Sequence, residues 1–131
     1  MKNSKFKIWA IIPARSGSKS VKNKNIKHLD GLPLIAHTIN AAKYSNCFER
    51  ILLLTDSLKY AKIGKKFGAE IPFIRPKKIS QDKSTDNDLY SYFVKYFIKN
   101  KIKLPHYIAH LSPTVPLRLN KVIEKGIKYF F

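Results

Sequence analysis

Apolar residues along this chain fall into short continuous runs alternating with stretches of helical periodicity. Residues 8–12 form the first run, too short for a helix, and predict a buried β-strand whose pairing ends where Pro13 lacks a backbone donor. Residues 26–29 read as a short extended piece that turns at Asp30-Gly31. Pro33 suits the first turn of a helix, and Leu34, Ile35, Thr38, Ile39 and Ala42 then recur at helical spacing to about Lys43. Residues 50–55 (RILLLT) predict a second buried strand, with Asp56-Ser57 as turn and N-cap. Tyr60, Ile63 and Phe67 give the following helix its apolar side before Gly68 stops it. Residues 70–74 read as a third, short strand, and residues 75–83, without periodicity, as a loop. Thr85-Asp86-Asn87-Asp88 is a capping sequence for a helix with Leu89, Phe93 and Phe97 on one stripe. Residues 107–111 predict a fourth strand and residues 112–118 a loop stiffened by two prolines. A last helix then has Leu119, Ile123, Ile127 and Phe130 in line.

Alternating strands and helices call for an α/β fold, a mostly parallel sheet with helices on both faces. Ligands of such sheets bind at the carboxyl ends of the strands. The loops at residues 14–25, 55–57, 75–85 and 112–118 are therefore expected along one edge.

The first of these loops carries the most chemistry. Arg15, Lys19, Lys22 and Lys24 are interleaved with Ser16, Gly17, Ser18 and Asn25 directly after a buried strand. Small residues let backbone N–H groups approach anionic oxygens, and fixed cations neutralise their charge, so the pattern suits a polyphosphate. The alternative on composition alone is a solvated basic surface loop. Gly17-Ser18-Lys19-Ser20 is not a Walker A motif, which needs Gly-Lys adjacent and a glycine five positions earlier, where this chain has Ile12. The G-x-G-x-x-G dinucleotide fingerprint is absent as well.

At 131 residues the chain is at most one domain, long enough to bury a core. A single cysteine, Cys47, excludes a disulfide framework and a cysteine metal cluster. His28, His37, His106 and His110 show no metal-ligand spacing, so no metal is assigned to them. Lysines precede Ile8 without the apolar core of a signal peptide, and no apolar stretch approaches membrane-spanning length. A soluble cytoplasmic protein is the expectation, with no membrane partner. The formal charge of +18 would fit a nucleic-acid partner. However, only four of the 26 basic residues are arginines, and the lysines are spread along the chain instead of forming a block. Most of the charge is read as solvated background that also draws in anionic substrates.

Residues 11–19 (IIPARSGSK) followed by Lys24-Asn25-Ile26 resemble the opening of the acylneuraminate cytidylyltransferases, the CMP-sialic acid synthetase family. Segments similar to that family follow in the same order: residues 33–39 (PLIAHTI), Thr55-Asp56-Ser57, residues 67–70 (FGAE), Arg75-Pro76 with Asp82, and residues 113–118 (PTVPLR). The resemblance covers almost everything from Lys7 to Arg118. It implies a three-layer Rossmann-like nucleotide-diphospho-sugar transferase fold in which CTP and a nonulosonic acid give a CMP-sugar and pyrophosphate, for surface glycan such as lipopolysaccharide or capsule. By the same resemblance Ala14, Arg15, Gly17, Ser18, Lys19 and Lys24 would bind the nucleotide at its triphosphate loop, and Asn25 would contact the nucleotide or serve only as a turn residue after lysine. Arg15, Lys19 and Lys24 would be the catalytic cations, as transfer needs phosphates held in line and charge neutralised. Arg75 would meet the cytosine carbonyl, and Ser84 and Thr85 the base and ribose unless they serve chiefly as helix caps. Ser112 and Arg118 would face the sugar, Arg118 alternatively fixing its loop. Asp82 is expected to order its loop, with ligand binding as the alternative, and Asp56 to start a helix, with ribose or a metal as its alternatives.

Two departures qualify this. The family usually has glutamine before Pro-Thr-x-Pro-Leu-Arg, where this chain has the shorter Ser112. The family also continues about where Phe131 stands, and that further part supplies an Asp pair for Mg²⁺, several sugar contacts and the dimerisation element. The chain is therefore expected to be the N-terminal part of the domain, its C-terminal part absent, with Mg²⁺ ligands outside it. It would be a fragment or an apparently truncated product, and a homodimer applies only to the full-length protein. Two alternatives stand beside this reading: a related nucleotidyltransferase using another sugar acid such as ketodeoxyoctonate, and a basic nucleic-acid-binding module. For the module, Tyr90, Tyr92, Phe93, Tyr96 and Phe97 fall at helical spacing and read as core, not as a stacking platform.

Overall fold

Strict alternation along the first strand decides the architecture, because it buries both faces of one sheet. The computed structural model describes residues 5–17, 23–113 and 120–130. In chain order the elements are β1 (Ile8–Pro13), a 3-10 turn (Lys24–Ile26), β2 (His28–Leu29), β3 (Leu32–Pro33), α1 (Leu34–Ser45), β4 (Arg50–Leu54) and α2 (Leu58–Phe67). A second 3-10 turn (Lys77–Ile79), α3 (Asp86–Lys99), β5 (Tyr107–His110) and α4 (Asn120–Phe130) follow. Ile8, Ala10 and Ile12 point to one side, where they bury Ile35 and Ile39 of α1, Tyr60 of α2 and Ile123 of α4. Trp9 and Ile11 point to the other, against Leu52 and Leu54 of β4 and Leu89, Phe93 and Phe97 of α3. A strand apolar at every position belongs in the middle of a parallel sheet, and β1 lies there, in the order β4-β1-β5 with both pairings parallel.

The chain leaves β1 through α1 to reach β4 on one side and returns through α3 to β5 on the other. The crossing helices sit on opposite faces, as right-handed crossovers in opposite directions require. The sheet therefore has a topological switch between β1 and β5, and a crevice is expected beyond their carboxyl ends.

Three predicted features differ. Pro13 does not stop the pairing: it lies within β1 opposite Leu54, and the next donor, Ala14 N–H, takes the Leu54 carbonyl at 2.9 Å. The third strand is not formed. Residues 70–74 touch β4 only at two isolated parallel bridges, Leu52 to Glu70 and Thr55 to Ile74. Pro72 between them has no N–H to continue a ladder. The short extended piece at residues 26–29 is part 3-10 turn, part hairpin: β2 pairs antiparallel with β3 across Asp30-Gly31, both at positive φ.

The aromatic stripe of α3 is core. Phe93 and Phe97 are fully buried, while Tyr92 and Tyr96 lie at ring-centroid distances of 4.9 Å on either side of Phe73.

Candidate functional site

A cleft of about 220 Å³, open to water-sized molecules, lies beyond the carboxyl ends of β1 and β5, at the topological switch. Three loops contribute. Pro13, Arg15 and Gly17 come from the loop after β1, with Lys24 and Asn25 where that loop returns. Arg75, Ser84, Thr85 and Asp86 come from the segment leading into α3, and Ser112 and Pro113 follow β5. Loops after parallel strands share an edge, which is why residues up to about 100 positions apart meet here.

Of the residues singled out from sequence, Arg15, Gly17, Lys24, Asn25, Arg75, Ser84, Thr85 and Ser112 line this cleft. Ala14 does not: it is buried, and its N–H is committed to the Leu54 carbonyl. Ser18, Lys19 and Arg118 lie outside the described residues. Sequence reasoning did not single out Asp86 as a cleft residue. Its available signal was an acidic first-turn position following a loop already assigned to ligand.

Both stems of the basic loop are pinned. Asn25 Nδ2 donates to the Arg15 carbonyl at 2.9 Å, and the Tyr60 hydroxyl donates to Asn23 Oδ1 at 3.1 Å. Asp56 accepts twice from Ser16, from its backbone N–H at 2.7 Å and its hydroxyl at 3.0 Å. The expectation that Asp56 starts a helix is thereby corrected. Ser57 caps α2, its hydroxyl accepting from Tyr60 N–H, because its position one residue later matches the N-cap geometry.

Arg15 Nη1 meets Asp82 Oδ1 at 2.8 Å, so Asp82 ties the loop before α3 to the loop after β1. Arg75 is 7% exposed. Its Nη2 donates to the Ile79 carbonyl at 2.7 Å, and its Nε is buried without a partner among the described residues. Burial pulls the Arg75 pKa down, Asp56 and Asp86 oppose the shift, and Arg15 adds to it. The guanidinium nonetheless stays charged, as arginine does in proteins. An orphaned donor on a buried cation is costly unless something pairs with it, and Arg75 forms part of the cleft wall.

Ser84 and Thr85 use their hydroxyls within the protein. Ser84 accepts from Gln81 N–H at 3.1 Å and donates to the Lys78 carbonyl at 3.3 Å. Thr85 accepts from Asp88 N–H at 3.1 Å while Asp88 Oδ2 accepts from Thr85 N–H at 2.9 Å, a complete capping box. Thr85→Ala is expected to lower stability by about 0.5–2 kcal/mol, read from the urea midpoint. An unchanged midpoint would mean that the cap contributes nothing.

One turn into α3 from Asp86, the Tyr90 hydroxyl lies 2.6 Å from His110 Nδ1 at the end of β5. Burial first, then the charge of Asp86, raises the Tyr90 pKa, so the hydroxyl keeps its proton. His37 bonds the Leu29 carbonyl and His106 Nδ1 accepts from Lys7 N–H; both are structural.

Among the described residues no group of three or more His, Cys, Asp or Glu is placed to hold a metal ion. Asp86 is the single carboxylate among the residues lining the cleft. Mg²⁺ binds through one or two carboxylates and substrate phosphates, and demands near-octahedral geometry. These residues do not by themselves make such a site.

A parallel sheet with a cationic crevice at its switch point is the arrangement of a nucleotide-binding α/β protein. The family model described as cytidylyltransferase matches residues 9–130, and the chain belongs to that family. It is 38% identical over 124 residues to the N-acylneuraminate cytidylyltransferase of Escherichia coli, covering 95% of this chain and 28% of that protein. It is 46% identical over 126 residues to the CMP-N,N'-diacetyllegionaminic acid synthase of Legionella pneumophila, covering 94% of this chain and 53% of that one. A solved structure of CMP:2-keto-3-deoxy-manno-octonic acid synthetase complexed with CTP shares the fold, with a TM-score of 0.72 at 20% identity over 93% of this chain and 46% of that chain. The chain thus spans about half or less of the length of these proteins. No helix among the described residues is long and apolar enough to cross a membrane.

Proposed function

We propose that this chain is the nucleotide-binding N-terminal part of an enzyme that activates a nonulosonic, sialic-type acid with CTP. In the whole protein the anomeric hydroxyl of the sugar acid attacks the α-phosphate of CTP. The bond to the β-phosphate oxygen breaks, pyrophosphate leaves, and the CMP-sugar is formed. The observation that carries this reading is the convergence of Arg15, Lys24 and Arg75 on one cleft at the switch point. Such a site can hold an anionic nucleotide by charge-assisted hydrogen bonds. Arg15, Lys24 and the Gly17 amide take the triphosphate, and the buried Arg75 guanidinium meets the cytosine carbonyl. Ser112 lies on the side left for the sugar.

The named relatives more than a third identical act, by their names, on acylneuraminate and on a legionaminic acid. They favour a nonulosonic acid over ketodeoxyoctonate, whose synthetase resembles this chain in fold only. Mg²⁺ would neutralise charge on the phosphates; its carboxylates are placed, in this proposal, in the part of the longer relatives that this chain does not span.

Base choice is the test. CTP is expected to raise the melting temperature more than ATP or GTP, since ligand binding to the native state stabilises it in proportion to affinity. Equal shifts for all three would leave a generic phosphate site and remove the cytidylyltransferase reading.

A further inference from the structure

Three consecutive residues after β4 each hold a different part of the site. The Thr55 carbonyl accepts from Arg75 N–H at 2.8 Å, which fixes where the Arg75 side chain starts. The Ser57 hydroxyl caps α2. Between them the Asp56 carboxylate reaches across to the neighbouring loop and takes both donors of Ser16, at 2.7 and 3.0 Å. Ser16 lies between Arg15 and Gly17, both in the cleft lining, while Asp56 is not among the lining residues.

We propose that Asp56 is the positioning residue of the anion loop: by clamping the Ser16 amide and hydroxyl it sets the path of residues 15–17, and with it where Arg15 and the Gly17 amide stand. This inference rests on the reading of the cleft as a CTP site. Its physical basis is the directionality of the two bonds. A carboxylate accepting a backbone N–H and a hydroxyl from the same residue fixes both the peptide plane and the χ1 angle. A glycine follows immediately, so beyond Ser16 the backbone has little conformational preference of its own for the clamp to compete with. The bond from Asn25 to the Arg15 carbonyl holds the other end of the same peptide unit, and Asp82 holds the Arg15 guanidinium. Asp56 also opposes the burial-driven fall in the Arg75 pKa.

A positioning residue for the phosphates affects ligands that have them and spares those that lack them. The experiment is a pair of titrations on the 131-residue chain, CTP by calorimetry and cytidine by chemical-shift perturbation, for wild type, Asp56→Ala, Asp56→Asn and Ser16→Ala. Asp56→Ala is expected to weaken CTP about tenfold or more, roughly the effect of one charge-assisted contact, and to change cytidine less than about twofold. Asp56→Asn keeps an oxygen for the Ser16 N–H and offers its amide to the hydroxyl oxygen, so CTP affinity should stay within about threefold of wild type. Ser16→Ala removes one bond of the two without touching β4, and its ratio of CTP to cytidine affinity should fall by about threefold, a readout that survives if Asp56→Ala does not fold. Equal loss of CTP and cytidine in Ser16→Ala and Asp56→Ala would overturn the proposal in favour of a general structural role. So would an asparagine variant as weak as the alanine one, or unchanged CTP affinity in Ser16→Ala and Asp56→Ala. A wild-type chain that binds CTP no better than ATP or GTP would instead overturn the CTP reading beneath it.

Discussion

Phe93→Ala is expected to lower the stability of the chain by about 3–5 kcal/mol. Phe93 is fully buried, and its ring lies 4.6 Å from that of Phe97, with Trp9, Phe73 and Tyr90 within 6.5 Å. It is the centre of the contact between α3 and the sheet. Its ring neighbours are stiff aromatic side chains, so the loss includes a cavity cost beyond the transfer of the ring. Domains of this size have net stabilities of roughly 5–15 kcal/mol, so about a fifth or more is at stake. The consequence reaches the cleft, because α3 carries Asp86 into the lining and Thr85 into its own cap. Urea unfolding followed by tryptophan fluorescence reports on Trp9 in the same cluster. A loss below about 1 kcal/mol would mean that α3 is not packed on β1 as described.

This packing was readable from spacing alone. Leu89, Phe93 and Phe97 fall at helical intervals, and residues 8–12 are apolar without a break, so one needs a sheet and the other a cover. The parallel order of the sheet then brings the loops after β1 and β5 to one edge, and with them Arg15, Lys24 and Ser112. Strand 70–74 was misread because apolar character at Ile71, Phe73 and Ile74 outweighed the missing donor of Pro72. What local pattern does not carry is the choice of partner. Asp56 precedes a helix and fits a cap by position, yet its carboxylate serves Ser16, 40 residues earlier. Asn25, expected at the nucleotide, spends its amide on the Arg15 carbonyl while still lining the cleft. Asp82, expected to order its loop, does so through Arg15, a partner that only the fold brings near. Short polar side chains are decided by whichever donor the tertiary structure delivers.

Arg15→Ala and Lys24→Ala are each expected to weaken CTP binding by about 1.5–3 kcal/mol, tenfold or more, with Arg15 the larger effect. Both line the cleft, and each supplies a charge-assisted bond to phosphate in the proposed complex. Arg15 has a second consequence. Its guanidinium neutralises Asp82 at 2.8 Å, so removing it also leaves an unpaired carboxylate just behind the cleft wall, adding repulsion toward the phosphates. Stability should barely move, because the two side chains are 31% and 42% exposed and such pairs are worth about 0–1 kcal/mol. Melting temperature and affinity are thereby separated in one variant. Lys66, exposed on α2 and absent from the lining, is the control: Lys66→Ala should bind CTP as wild type does. Added salt should narrow the gap between Lys24→Ala and wild type, since a partly exposed cation is screened over about 10 Å at 0.1 M. Repulsion between the freed Asp82 carboxylate and the nucleotide phosphates makes one further comparison decisive. In the double variant Arg15→Ala/Asp82→Asn the stray negative charge is gone, so part of the lost affinity should return. Calorimetry on these five proteins at two salt concentrations checks each step. Equal CTP affinity across wild type, Arg15→Ala, Lys24→Ala and Lys66→Ala would show that the loop after β1 does not hold the phosphates.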